Sequence, residues 1–326
     1  MNETSFKRVV VTGAAGFIGS TLVDSLLNQG IKVLGIDNFN TGRIEFLKDA
    51  FNDPKFTLLR EDLFCGADLS NVFIGMDAIF HLAGNADVRF GSNHPTRDLE
   101  QNTIATHRVL EAARVAGVKK FIFSSTGSVY GEAVLFPTPE DAPFPIQTSL
   151  YGASKLASEG MISAYAESFG MQVWIFRFVS ILGPRYTHGH VYDFYEQLMQ
   201  HPAQLTVLGN GHQKKSYLHV QDCVNAIYVA LKSATSSVNI FNLGLNEYCK
   251  VRDSITWITD ELGLKPNVTF GTENRGWIGD NPLIYLDIDK IRKFKWQPQY
   301  SIEESVRDTV SYMKSNQWIF SRRIYQ

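Results

Sequence analysis

Arg8-Val-Val-Val-Thr12-Gly13-Ala-Ala-Gly16-Phe17-Ile18-Gly19 is the stretch from which the fold of this 326-residue chain can be read. The run up to Thr12 is short, apolar and β-branched, as expected of a strand buried on both faces. Ser20-Thr-Leu-Val-Asp-Ser-Leu-Leu-Asn-Gln29 carries apolar residues at helical spacing, and Gly30 ends it. Strand, glycine loop and helix in that order give the glycines a purpose. They permit a tight turn and let backbone N–H groups approach a pyrophosphate at the positive end of the helix. The spacing is Gly-x-x-Gly-x-x-Gly, whereas most dinucleotide folds carry Gly-x-Gly-x-x-Gly. A plain tight turn between strand and helix is the alternative.

The pattern then repeats. Ile31–Ile36 reads as a second strand ending in Asp37, an acid about twenty residues past the glycines. That is where a carboxylate accepts hydrogen bonds from an adenosine ribose and repels a 2′-phosphate, which favours NAD over NADP. Arg43 nearby weighs the other way. Phe56–Arg60 reads as a third strand followed by Asp62-Leu63, placed for an adenine edge. Asp77–Ala83 is a fourth strand running into Gly84-Asn85, followed by a helix from about Thr96 to Ala116 that contains Asn102. His81 reads as a satisfied structural histidine. Lys120–Ser125 is a fifth strand whose end, Thr126-Gly127-Ser128-Val-Tyr130-Gly131-Glu132, carries hydroxyls into the region where such sheets bind ligands. Pro137–Pro145 must be a loop. A helix follows to about Phe169, then the strand Gln172–Phe178. Alternating strands and helices predict an α/β fold: a doubly wound parallel sheet, Rossmann-like, with a smaller mixed α/β C-terminal domain. The expected division is 1–180 for the dinucleotide domain, with segments near 216–245 crossing back, and 181–326 mainly for substrate.

Tyr151-Gly-Ala-Ser-Lys155 is the chemical counterpart of the glycine loop. Residues four apart on a helix share a face. A lysine ammonium beside a phenol favours the phenolate and is expected to pull its pKa down from about 10, giving a base usable near neutral pH. Beyond Gly183-Pro184-Arg185 the rhythm breaks. Lys214–Val220 reads as one strand, Gln221–Leu231 as a helix, Val238–Leu243 as a strand, and Ser254–Leu262 and Ile302–Asn316 as helices. His188 and His190 lack neighbouring carboxylates at ligand spacing, so no metal is expected.

The bulk numbers narrow the class. Lys and Arg number 31 against 33 Asp and Glu, so no basic excess invites nucleic acid. Cys65, Cys223 and Cys249 match neither a zinc spacing nor a disulfide framework, which fits a reducing compartment. No apolar run approaches the roughly 18 residues of a membrane helix, and the first residues lack signal-peptide anatomy. A cytoplasmic protein is expected.

Taken in order, Thr12–Gly19, Asp37-Asn38, Asp62-Leu63, His81–Ala83, Thr126 with Ser128–Gly131, Tyr151-x-x-x-Lys155 and Gly183–Arg185 resemble the extended short-chain dehydrogenase/reductase family. The likeness is to its nucleotide-sugar epimerases and dehydratases, and most of all to the UDP-glucose 4-epimerase group. The resemblance spans nearly the whole chain. It implies a homodimer that binds NAD and a UDP-sugar and interconverts C4 epimers of UDP-hexoses or UDP-hexuronates through a keto-sugar. The alternatives within the family are a 4-keto-sugar reductase, a dehydratase or a decarboxylating oxidoreductase.

By the same resemblance Tyr151 is the base, Lys155 the ribose-binding ammonium and Thr126 the hydrogen-bonding partner of the sugar oxygen. Gly13, Gly16, Phe17, Ile18, Gly19, Asp37, Asn38, Asn40, Asp62, Leu63, Leu82, Ala83, Asn102 and Phe178 line NAD together with Tyr151 and Lys155. Gly84, Ser128, Ser180, Arg185, Lys215 and Arg275 face substrate. Four departures stand out. Dehydratases carry two acids after the threonine, where this chain has Gly127 and Ser128. Ser180 replaces the usual asparagine of the phosphate contact. Lys215 replaces a bidentate arginine with a point charge, and Arg275 is separated from Asp280 by extra residues that include Trp277 and Ile278.

Overall fold

The computed structural model describes residues 6–85, 94–144, 146–276, 281 and 283–321. Its strands are β1 (Arg8–Thr12), β2 (Lys32–Asp37), β3 (Phe56–Arg60), β4 (Ala78–His81), β5 (Lys120–Thr126), β6 (Gln172–Phe178), β7 (Ser180–Leu182), β8 (Gln204–Val207), β9 (Lys214–Lys215), β10 (Tyr217–His219), β11 (Val238–Leu243), β12 (Cys249–Lys250) and β13 (Asn267–Phe270). The longer helices are α1 (Phe17–Asn28), α2 (Ala105–Val115), α3 (Leu150–Phe169), α4 (His190–Gln200), α5 (Val220–Ser233), α6 (Val251–Leu262) and α7 (Ile302–Ser315).

Seven strands form one parallel sheet in the order β11-β6-β5-β4-β1-β2-β3. The order reverses between β1 and β4, and ligands enter such sheets at the carboxyl ends of the strands flanking that reversal. Thr12 pairs with both Ile36 and His81, so the glycine loop leaves the sheet beside Leu82 and Ala83. The central strands β1, β4, β5 and β6 are buried on both faces, which is why they read as nearly unbroken apolar runs. One face packs on α1 and α5, the other on α2 and α3. β11, from the C-terminal half of the chain, lies at the edge of this sheet beside β6.

Helix limits follow local chemistry. The Ser149 hydroxyl caps α3 by accepting from Gly152 N at 3.0 Å, and Gly170 closes it at φ 61°. Ser301 and Glu304 form a capping box at the start of α7. Two elements differ from expectation. The helix through Asn102 begins at Pro95 and passes through a π-helical stretch, Leu99–Ile104, before α2. The strand expected over Lys214–Val220 breaks in two: β9 pairs antiparallel with β12, while β10 pairs parallel with β7. The C-terminal helices α4, α6 and α7 pack on one another, with β8 and β13 paired alongside.

Candidate active site

Gly13 has φ +68°, and a Cβ there would lie 2.8 Å from Ala83 N. A Cβ on Gly19 would lie 2.0 Å from Gly13 O, so the first turn of α1 sits directly on the loop. Gly16 is the N-cap of α1, with no side-chain cap and no acid in the first turn. A diphosphate fits such a helix start, where N–H groups and the helix dipole both favour negative charge. Phe17 is buried, edge-on to Tyr186, and Ile18 packs beside the same core.

Asp37 is 8 % exposed and braces this loop. Its Oδ2 accepts from Ala15 N at 2.9 Å and its Oδ1 from Phe39 N at 2.8 Å. Asn38 donates to Asp62 Oδ2 at 2.8 Å, and its own Oδ1 accepts from Asn40 N at 2.9 Å. Burial pushes the Asp62 carboxyl up, but hydrogen bonds from Asn38, Phe64 N and Cys65 N outweigh it and hold the group below the usual carboxylate range. Leu63 is buried beside it. Arg43, the residue that weighed toward NADP, is bonded elsewhere. Its guanidinium donates to the carbonyls of Ile319 at 2.7 Å and Ser321 at 3.3 Å. The glycine cradle, the uncapped helix and the acid at the end of β2 fit NAD.

Thr126 ends β5, and its hydroxyl accepts from Ser128 N at 3.1 Å and hydrogen-bonds the Tyr151 phenol. Lys155 is 4 % exposed; its Nζ donates to Ser124 O at 3.0 Å and lies 4.7 Å above the Phe123 ring. A Cβ on Gly84 would meet Asn102 Oδ1 at 2.6 Å and Lys155 Nζ at 3.2 Å. Gly84, Asn102 and Lys155 therefore share one wall, which only glycine leaves open. Asn102 donates to Ser154 Oγ at 2.9 Å while its buried Oδ1 has no partner among the described residues. A ribose hydroxyl is the kind of donor that would satisfy it.

The expected acidity of Tyr151 is corrected here. Burial pushes its phenol up to about 12; the Thr126 hydrogen bond works the other way, and Asp98 adds to the rise. Lys155 is itself pulled down to about 8 by burial, with Glu159 and Asp98 opposing. The i,i+4 spacing holds, but in the protein alone the ammonium is directed at Ser124 and the desolvation of the phenol wins.

The residues expected to face substrate are placed unevenly. Ser128 is half-buried beside Thr126, Ser180 is exposed at the start of β7, and Phe178 closes β6. Lys215 Nζ donates to Asn281 O at 2.9 Å, and Asn281 Oδ1 in turn accepts from Thr148. Arg275 pairs with Glu132, both half-exposed. Trp277, Ile278 and Asp280 lie outside the described residues. Arg185 departs from expectation. At φ 74° its guanidinium reaches Asp24 of α1 at 2.6 Å and bonds Tyr312 of α7, so it ties two helices together and does not join the Thr126 cluster. Gly127 has no room for an acid, because a Cβ would lie 2.6 Å from Ile284 Cγ2 and 3.3 Å from Phe178 O. His81 bonds Thr12 Oγ1 at 2.7 Å and Thr106 Oγ1 at 2.9 Å, the structural role expected of it. His190 bonds Ser254 and Tyr217.

Two carboxylates near Thr126, Tyr151 and Lys155 escaped the sequence reading. Asp98 is 1 % exposed and accepts from Asn85 Nδ2 at 2.8 Å. Glu159, 4 % exposed, pairs with the fully buried Arg177 at 2.7 Å. A signal for Glu159 was available: it follows Lys155 by four residues, on the same helical face.

Comparison with known proteins agrees with this geometry. Residues 9–244 match the model of the NAD dependent epimerase/dehydratase family. A UDP-glucose 4-epimerase of Mycolicibacterium smegmatis is 33 % identical over 315 residues, 94 % of this chain and 99 % of that protein. A crystal structure of a UDP-galactose 4-epimerase superposes with TM-score 0.86 at 36 % identity, covering 95 % of this chain and all of that one. The UDP-glucuronic acid 4-epimerase of Bacillus cereus, solved with UDP-glucuronic acid and NAD, superposes with TM-score 0.85 at 29 % identity, covering 94 % and 99 %. With a glycine cradle at the sheet's reversal point, a Thr–Tyr–Lys trio beside it and this likeness along nearly its full length, the chain belongs to the NAD-dependent epimerase/dehydratase family.

Proposed function

We propose that the protein is an NAD-dependent 4-epimerase of UDP-hexoses or UDP-hexuronates. The observation that carries this reading is the Thr126–Tyr151 hydrogen bond at the mouth of the glycine crevice, with Lys155 buried one turn along the same helix. Gly13, Gly16, Phe17, Ile18 and Gly19 hold the diphosphate of NAD. Asp37, Asn38 and Asn40 hold its adenosine ribose, Asp62 and Leu63 the adenine edge, and Leu82, Ala83, Asn102, Lys155 and Phe178 the nicotinamide half. NAD, when bound, supplies a hydride acceptor that becomes the donor for the return step. Lys155 holds the ribose and supplies positive charge. Tyr151 Oη removes the proton of the C4 hydroxyl as hydride leaves C4, and Thr126 hydrogen-bonds the same oxygen as charge develops on it. The resulting 4-keto sugar turns over in the site. Tyr151 would then return the proton to the same oxygen, and because a bound NAD would give back the hydride it had taken, atoms and electrons would balance with no net redox change.

Residues 1–180 with β11 form the dinucleotide domain in this reading, and the remainder mainly holds the nucleotide sugar. Ser128 and Gly84 border the sugar, while Ser180, Lys215 and Arg275 serve the diphosphate. Arg275 reaches phosphate by exchanging Glu132 for it. We also read the protein as a cytoplasmic homodimer serving polysaccharide biosynthesis. The exposed apolar residues Leu99, Ile104, Val115 and Phe169 on the α2–α3 layer support self-association. The absence of room for an acid at Gly127 argues against 4,6-dehydration. Proton NMR of UDP-glucose and UDP-glucuronate incubated with the purified protein tests the reading. The C4 epimer should accumulate to equilibrium without NADH build-up. NADH rising with turnover would replace epimerisation with net oxidation.

A further inference from the structure

The carboxylate of Glu159 is held by more bonds than a surface-type ion pair would need. Arg177 Nε lies 3.1 and 3.2 Å from its two oxygens, and a terminal guanidinium nitrogen lies 2.7 Å from Oε2. Ser125, the neighbour of Thr126, donates its hydroxyl to Oε1. Arg177 is fixed in turn by bonds to Tyr130 Oη at 2.6 Å and Glu140 O at 3.0 Å, and Tyr130 donates to Asn242 at 2.9 Å. Ser125, Tyr130, Glu159, Arg177 and Asn242 are all buried. A buried ion pair is weak as a source of stability, because apolar residues of similar volume commonly do as well. Its position invites another explanation: Glu159 touches the strand end that carries Thr126 and stands one helical turn from Lys155.

We propose that Glu159 is a positioning residue of the catalytic site. It ties the Thr126 end of β5 to the Lys155 turn of α3, and its carboxylate, fixed one helical turn away by Ser125 and Arg177, favours the positive charge of Lys155. Arg177 serves to hold Glu159 in that place. This rests on reading Thr126, Tyr151 and Lys155 as the catalytic trio. Among the described residues, the ionisable groups that act on Lys155 are Glu159 on its own helix, Asp98 from the segment before α2, and His81 from β4, with Tyr151 one turn before it. His81 is kept neutral by burial and by the Lys155 charge itself, so among the described residues Glu159 and Asp98 are the two groups that favour the ammonium.

Two measurements separate positioning from a merely structural role. The first follows the Lys155 side chain by carbon-13 NMR across pH in protein without cofactor, assigned with Lys155→Met. In Glu159→Gln the midpoint should fall by about one pH unit, and the alkaline limb of kcat/KM should move with it. An unchanged midpoint overturns the electrostatic claim. If Glu159→Gln fails to fold around an unpaired guanidinium, Glu159→Gln/Arg177→Met removes both charges and should show a smaller fall in the same direction. A wild-type midpoint in the double variant overturns the claim equally. The second measurement uses Ser125→Ala, which cuts the tether and leaves the charge. It should lower kcat several-fold with KM and the Lys155 midpoint held, and a wild-type kcat overturns the tether. Lys155 titration needs no turnover, so a wild-type protein without epimerase activity would sink the functional reading and leave this test standing.

Discussion

Removing the cofactor should leave Tyr151 a phenol at every ordinary pH, and restoring it should bring the ionisation down. The protein alone sets this group at about 12, through burial, with Asp98 adding to the rise and Thr126 opposing. Running the site at pH 7 requires closing about five units, or about 7 kcal/mol. A positive charge about 5 Å away, at an effective dielectric near 20, supplies about 3 kcal/mol. The cationic nicotinamide is one such charge. In the proposed reading Lys155 would be the second, its ammonium exchanging Ser124 O for a ribose hydroxyl and moving toward the phenol. Together they supply about 6 kcal/mol, close to what is needed, and either alone falls short. Ultraviolet difference absorbance of tyrosinate, taken as wild type minus Tyr151→Phe, reads the group directly. The difference titration should have a midpoint near 12 without cofactor and at least about two units lower with NAD+ bound. Titration near neutrality without cofactor, or no movement on loading, would refute the reasoning.

Gly19→Ala should abolish NAD binding, because the new Cβ meets Gly13 O at 2.0 Å within the phosphate loop; calorimetry decides, and retained nanomolar-to-micromolar binding would contradict the cradle. NAD should bind far more tightly than NADP, since Asp37 is buried at the end of β2 and Arg43 is spent on Ile319 and Ser321; equal affinities would remove Asp37 from the ribose-binding role proposed for it. Arg177→Met alone should cost about 3–5 kcal/mol of stability by leaving Glu159 buried and unpaired, measured by urea unfolding. Lys155 has a folded pKa of about 8 against 10.5 for the free side chain. Because the unfolded chain then binds more protons, stability rises with pH through the window from 8 to 10.5. The advantage of Lys155→Met over wild type in cofactor-free protein should therefore shrink by about 3 kcal/mol across that window.

Much of this molecule was legible because its signals are local. The β-branched run to Thr12, the three glycines and the helical pattern after them sit within one βα unit, where spacing fixes geometry. Tyr151 and Lys155 share a face for the same reason. What the sequence concealed is set by distant partners and by burial. Arg185 carries the expected motif, yet Asp24, 161 positions away, claims its guanidinium. Arg43 is drawn to carbonyls 276 and 278 positions further along. The sign of the Tyr151 shift depends on how completely the sheet and α3 exclude water, which no spacing rule encodes. The π-helical stretch around Asn102 follows from packing against α3 and has no turn or breaker residue to announce it.

The most direct test of transient oxidation at C4 is UDP-glucose carrying deuterium at that carbon. The account predicts that the galactose-configured product keeps the label at C4, with turnover slowed by a primary isotope effect. Product that has exchanged the C4 label with solvent would mean that the hydrogen left as a proton, and the hydride mechanism built around Tyr151 would be wrong.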